Sequence, residues 1–266
     1  MCDTCGCSIT PGNAHLVKQS TNPDTSDNLT VDVLTGLMEQ NDHRARHNRE
    51  HFDRHQVLAV NLMSSPGAGK TSLLEATIKE LGKNLRIAVV EGDLETENDA
   101  LRIRALGVPA IQISTGQACH LDAHLLHDAL HQLDLDQVDI LFVENVGNLV
   151  CPASFDLGHH SNVVLLSVSE GDDKPAKYPV MFRAADLVLL SKLDYLDFID
   201  DFDPEKAARH IRELANPAEV MSLSVRRPAT LQPWFNWLTT SLEELRRGAA
   251  MRPRTQPDGV ALHAGS

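Results

Sequence analysis

Three groups of residues in this chain have the types and spacing to do chemistry. The first is Ser64-Ser65-Pro66-Gly67-Ala68-Gly69-Lys70-Thr71, followed by Ser72. A glycine-rich turn that leaves an apolar run and opens a helical one presents backbone N–H groups to phosphate at a helix N-terminus. A lysine there neutralises β/γ oxygens, and the next hydroxyl ligates Mg²⁺. Gly67, Ala68, Gly69, Lys70, Thr71 and Ser72 are the expected nucleotide contacts. The pattern G-x-x-x-x-G-K-[ST] has one departure, Ser64 at its first glycine.

The second group lies further along. Glu144-Asn145-Val146-Gly147 has the [D/E]-x-x-G spacing that sets an acid near Mg²⁺ and a glycine N–H near a γ-phosphate. Asp93, in EGDLET, is a candidate for Mg²⁺ coordination or for orienting water. Ser191-Lys192-Leu193-Asp194 closes an apolar run where GTPases carry Asn-Lys-x-Asp to read guanine. Asp194 would accept from the ring N–H and exocyclic amine while the Lys192 stem covers the base. GTP, turned over to GDP with Mg²⁺, is the expected substrate, and Lys70, Asp93 and Glu144 the expected catalytic residues.

The third group is sulfur and imidazole. Cys2-x-x-Cys5-x-Cys7 can wrap one soft or borderline ion, and a freed α-amine at Cys2 would add a nitrogen. Square-planar Ni²⁺ and tetrahedral Zn²⁺ fit equally; an incomplete zinc knuckle or a redox thiol pair is the alternative. Cys119-His120 stands at the head of an expected helix, and Cys151 lies just past the Glu144 motif. Helix neighbours diverge by about 100°, so Cys119 and His120 suit a surface shared by two chains better than one enclosed monomeric site. A cysteine at a strand end is also simply a small buried hydrophobe. His43, His47, His51 and His55 recur every four residues, and His120, His124, His127 and His131 follow helical spacing too. They read as solvated helix faces, with weak auxiliary metal binding as the alternative.

These residues need a scaffold, and the apolar pattern supplies one. The runs 57–64, 85–91, 109–114, 138–146, 162–169, 186–191 and 218–224 look like buried strands of a mostly parallel sheet. Helix-length segments separate most of them, which predicts a doubly wound α/β domain with helices on both faces. We expect four regions: a Cys-containing tail and linker over 1–35, a helical segment over 36–56, the P-loop domain over 57–247 and a disordered tail over 248–266.

Composition narrows the function classes. Among 266 residues, Lys plus Arg number 24 against 37 Asp plus Glu, a formal charge of −13 that repels a phosphate backbone. Nucleic-acid binding is disfavoured. No run of about 18 apolar residues spans a bilayer, and Met1-Cys2-Asp3-Thr4-Cys5 is no secretory signal. A cytoplasmic protein is expected, in which five cysteines point to thiolate chemistry rather than disulfides.

MCDTCGC, NLMSSPGAGKTSLLE, EGDLETENDA, STGQACHLDA, ENVGNLVCPASFDLG, SVSEGDDKPAKYPVMF and LSKLDYL, in this order, closely resemble the hydrogenase nickel-insertion GTPases of the HypB family. The likeness covers roughly residues 40–245 plus the first seven. It implies a P-loop GTPase that dimerises around nucleotide and supplies Ni²⁺ to the [NiFe]-hydrogenase large-subunit precursor, together with the nickel protein HypA. By the same resemblance Cys2, Cys5 and Cys7 match a tight N-terminal nickel site. Cys119, His120 and Cys151 match a weaker site for Ni²⁺ or Zn²⁺ at the dimer interface. Ser191 departs from the family's Asn, and Ser224-Val225-Arg226 from its Ser-Ala-Lys. The long His tract of some relatives is absent, so bulk nickel storage is not expected. With no obvious arginine finger in cis, turnover should be low. The rivals are a GTPase serving another nickel enzyme such as urease, and a metal buffer whose nucleotide site only sets conformation.

Overall fold

The computed structural model describes residues 26–93, 98–116 and 118–248. Each expected apolar run becomes a strand: β1 (Leu58–Ser64), β2 (Ile87–Asp93), β3 (Ala110–Ser114), β4 (Ile140–Glu144), β5 (Ser161–Ser167), β6 (Leu187–Ser191) and β7 (Glu219–Ser222). They form one sheet in the order β3-β2-β4-β1-β5-β6-β7, with every pairing parallel.

Parallel strands need crossovers, and these are α2 (Lys70–Leu81), α3 (Asn98–Arg104), α4 (Ala123–Leu130), α5 (Lys174–Lys177), α6 (Pro179–Arg183) and α7 (Pro204–Glu213), with α8 (Gln232–Arg246) the last helix among the described residues. Alternation along β1 shows the two layers. Leu58, Val60 and Leu62 join the core under α2, α3 and α8. Ala59 packs with α1 and α4, and Met63 with α6 and α7 on the same opposite face. Trp234 of α8 is buried beside Phe142, its indole N–H donating to Thr77 Oγ1 at 2.9 Å. The doubly wound P-loop NTPase architecture is therefore present.

The first helix, α1 (Ser26–His55), starts ten residues before the expected 36. Apolar residues are sparse in its opening stretch, and helix formers from Asp32 with Leu34, Leu37 and Met38 on one face give only a weak sign of it. Its second half is clipped to the domain. Asn41 and Asn48 reach the backbone of Ala123, Asp156 and Leu157 at 2.9–3.1 Å, and Phe52 is fully buried. Cys2, Cys5, Cys7 and the expected C-terminal tail beyond Gly248 lie outside the described residues. Among the described residues no helix is long and apolar enough to cross a membrane.

Strand order reverses around β1, which sits between β4 and β5. Ligands of open α/β sheets bind outside the carboxyl ends of the strands at such a point. The loops that follow β1, β2, β4 and β6 meet there.

Candidate nucleotide and metal sites

The loop after β1 opens α2 through Gly69, whose φ of 99° is a left-handed turn that L side chains resist. It floors a cavity of about 470 Å³ lined by Gly67, Lys70, Thr71, Ser72, Asp93 and Gly147, among others. Lys70 Nζ donates to Ser64 Oγ at 3.0 Å, so the serine at the departing position holds the lysine by its hydroxyl. Thr71 Oγ1 donates to Glu144 Oε1 at 2.9 Å. Pro66 and Gly147 lie so close that a Cβ on the glycine would stand 2.9 Å from Pro66 Cα, which locks the loop after β4 against the phosphate loop.

Two buried acids back this cavity, and only one was singled out in the sequence. Parallel pairing of β2 with β4 sets Glu91 opposite Glu144. Burial pushes the Glu144 carboxyl up to about 7 although Lys70 and Thr71 pull it down. Burial and the neighbouring Glu144 push Glu91 to about 8. Glu91 Oε2 and Glu144 Oε2 are buried without a hydrogen-bond partner, and donor oxygens of Glu91, Asp99 and Glu144 lie within 4.8 Å of one another. Orphaned carboxylate oxygens beside a threonine hydroxyl suit a hard cation with oxygen ligands, so the residues present fit Mg²⁺. Asp93 lines the same cavity from the end of β2. Arg102 lines it too, held to Glu75 at 3.0 Å and Asp99 at 2.8 Å.

A second cavity, of about 160 Å³, shares Gly69, Ser72 and Lys192 with the first and reaches Asp194, Tyr195, Val225 and Arg226. Ser191 Oγ donates to the Ala68 carbonyl at 2.7 Å and Lys192 Nζ to that of Gly67 at 2.7 Å. The departing serine still ties its motif to the phosphate loop. Asp194 accepts from Ser224 Oγ, and Arg226 Nη1 stands 3.7 Å from its other oxygen. Ser191, Val225 and Arg226, from both departing segments, line this cavity with Asp194.

Cys119, His120 and Cys151 bring one donor atom each to within 4.8 Å of one another in a single chain. That corrects the expectation that Cys119 and His120 diverge. The helix starts only at Ala123, capped by Asp122, whose carboxylate accepts from Leu125 N, so the divergence of helix neighbours does not apply at 119–120. His120 is buried and stacked on Phe155 with ring centroids 3.9 Å apart. Burial lowers it to about 4, so the ring is neutral and free to ligate near pH 7. Two thiols and one imidazole from one chain leave a four-coordinate ion one position open.

The two sites touch. Leu121 packs over Gly92, where a Cβ would lie 2.6 Å from Leu121 Cγ. Asn145, next to Glu144, accepts from Leu121 N at 3.1 Å and donates to Asn61 at 3.2 Å. Asn148 Nδ2 reaches the Cys119 carbonyl at 3.4 Å. Asn145, Asn148, Glu91, Asp99 and Phe155 escaped the sequence reading because their roles arise from contacts far apart in the chain.

Comparison with known proteins bears on the family and the fold. A family model described as CobW/HypB/UreG, nucleotide-binding domain, matches residues 58–222. Hydrogenase maturation factor HypB of Azotobacter vinelandii is 46% identical over 244 residues, spanning 92% of this chain and 77% of its own. The hydrogenase/urease maturation factor HypB of Helicobacter pylori is 40% identical over 218 residues, 80% of this chain and 89% of its own. The crystal structure of HypB from Helicobacter pylori in complex with nickel matches with a TM-score of 0.74 at 42% identity, covering 79% of this chain and 97% of that one. With its P-loop, its paired acids and this likeness over most of its length, the chain belongs to the HypB family of hydrogenase maturation factors, which are P-loop GTPases.

Proposed function

We propose that this chain is a slow, cytoplasmic GTPase switch that delivers nickel to the large-subunit precursor of [NiFe]-hydrogenase, with HypA as its nickel partner. The observation that supports this reading is the segment 144–151. It begins at Glu144 in the nucleotide cavity and ends at Cys151 in the metal set, and Asn145 is bonded to the Leu121 loop on the way.

In this reading Gly67–Ser72 cradle the phosphates, Lys70 neutralises the β/γ oxygens, and Asp93 or Glu144 orients the attacking water. Lys192 and Asp194 read the base. Thr71, Asp93, Glu91 and Glu144 would hold Mg²⁺, which supplies further charge neutralisation on the phosphates. Catalysis is positioning and electrostatics, without a covalent enzyme intermediate. With Arg102 engaged by Glu75 and Asp99, the described lining of the cavity offers no uncommitted arginine to speed it. Loss of the γ-phosphate releases Gly147, the 144–151 segment shifts, and Cys151 leaves the set it makes with Cys119 and His120. Two copies associate around GTP and bring the Ni²⁺ or Zn²⁺ carried by these residues to a shared surface. Cys2, Cys5 and Cys7 hold a tighter nickel ion on the tail, and the four regions set out from the sequence divide the labour.

The test uses the chain with Cys2, Cys5 and Cys7 changed to Ser. Its Ni²⁺ and Zn²⁺ affinity and its mass in solution are recorded with GDP and with a non-hydrolysable GTP analogue. The expected result is a doubled mass with the analogue and an affinity change of at least about fivefold. If neither responds, the protein is a metal buffer and the switch is wrong. A second reading, delivery to urease as well, is favoured by the relative named a hydrogenase/urease factor. Urease activation in a host lacking its own nickel-delivery GTPase decides it.

A further inference from the structure

The two histidine stripes that read as solvated helix faces meet. α1 packs on α4, and residues four apart share a helix face, so His47 and His51 of α1 confront His127 of α4 and His131 just past its end. Ring centroids are 4.8 Å apart for His47 and His51, 5.2 Å for His47 and His127, and 4.6 Å for His127 and His131. One nitrogen from each of His47, His51 and His127 lies within 4.8 Å of the others. His51, His127 and His131 also line a cavity of about 260 Å³.

The tautomer of the buried member is fixed by its neighbours. Asn48 Nδ2 donates to the carbonyls of Ala123 at 2.9 Å and Leu157 at 3.1 Å, so its amide cannot be turned over. Asn48 Oδ1 is then the acceptor for His127 Nδ1–H at 2.8 Å. The lone pair of His127 is left on Nε2, which faces the cluster and stands 3.1 Å from His131 Nε2. With metal–nitrogen bonds of about 2.0–2.1 Å, two nitrogens at that separation subtend roughly 100° at a shared ion, the angle of adjacent ligands. A second group that orients a ring through its other nitrogen is the usual companion of a metal-bound histidine.

We propose that His47, His51, His127 and His131 form a separate, all-imidazole site for a borderline divalent cation such as Ni²⁺ or Zn²⁺. Imidazole suits these ions. His55 lines the same cavity with its Nδ1 paired to Asp136 at 2.7 Å, but it is not among the three histidines whose donor atoms converge. Burial lowers His127 to about 4, so protons do not compete for it near neutrality. Arg44 and Arg54 lie near enough to act on His127 and His51. Their charge keeps the site weaker than the thiolate set, suited to an ion that is held and passed on.

The experiment titrates the metal-free full chain with Ni²⁺ and, separately, with Zn²⁺. It compares wild type with a triple variant, His47→Ala, His51→Ala and His131→Ala, at positions outside the buried core. Equilibrium dialysis counts bound ions while absorption follows thiolate-to-nickel charge transfer. The expected result is one ion fewer per chain with the thiolate band and GTP hydrolysis unchanged. His51→Ala alone should lower the affinity of that ion by about tenfold or more. A stoichiometry equal to wild type, or a thiolate band that falls in step, overturns the proposal. Nitrogen NMR of the Zn²⁺-loaded wild type provides a readout without mutation. His127 Nε2 should shift on loading while Nδ1 stays protonated, and an unmoved Nε2 at saturating Zn²⁺ overturns the site. These histidines are not in the GTP-driven switch, so either idea can fail while the other stands.

Discussion

Under the proposed function Lys70, which lines the nucleotide cavity, is the charge that neutralises the phosphates. Lys70→Ala should leave the fold intact and cut GTP turnover by about 10²–10³ or more, measured as phosphate release at saturating GTP. Glu91 and Glu144 give a pH signature. Each has a folded-state value raised above 4.5, to about 8 and about 7, so the folded protein holds a proton that the unfolded chain has lost, and stability falls as pH rises through that window. His120 and His127, lowered to about 4 from 6.5, act oppositely, but only below about pH 6.5. The nucleotide-free, Mg²⁺-free protein should therefore lose a few degrees of Tm between pH 6.5 and 8 by calorimetry. Glu91→Gln should flatten that fall. Lys70 and Thr71 were legible because their chemistry is written in eight consecutive residues. Glu91 was not, since a lone acid ending an apolar run becomes a partner of Glu144 only through the β2–β4 register.

Between elements, what matters is the joint between the two loops. Asn145→Ala removes the acceptor for Leu121 N and leaves that buried N–H unpaired, at a cost of about 1–3 kcal/mol. If the loops are coupled as proposed, the variant keeps its metal set but loses the difference in Ni²⁺ affinity between GDP and GTP-analogue states. An unchanged difference would place the coupling elsewhere. The five inner strands could be read from the sequence because strands buried on both faces are continuous apolar runs, and the half-exposed edge strands β3 and β7 were found as shorter apolar runs of the same alternating series. The geometry at Cys119 and His120 could not, because the reading began the helix too early. The capping Asp122 marks its true start, and the residues before it are free to turn both side chains toward Cys151.

At the scale of the molecule, α1 is the part the sequence undersold. Its charged, histidine-rich surface hid Phe52, Asn41 and Asn48, which face inward. A chain starting at Val57 should be less stable by at least the roughly 3–5 kcal/mol of a buried phenylalanine, about 10 °C or more in Tm. It should also exchange amide protons faster at 119–123 and 156–159, a comparison that hydrogen-exchange mass spectrometry makes directly.

The clip of α1 onto residues 123 and 156–158 also has a consequence in time. Asn41 and its acceptor on Asp156 are separated by 115 positions. At roughly 5–20 residues per second, the ribosome takes on the order of ten seconds to bring out the second after the first. Cys119 thus emerges well before Cys151 and before the backbone that holds its loop. A growing chain presents loose thiols until residues 151–158 have emerged, and the arrangement of Cys119, His120 and Cys151 forms only after that point.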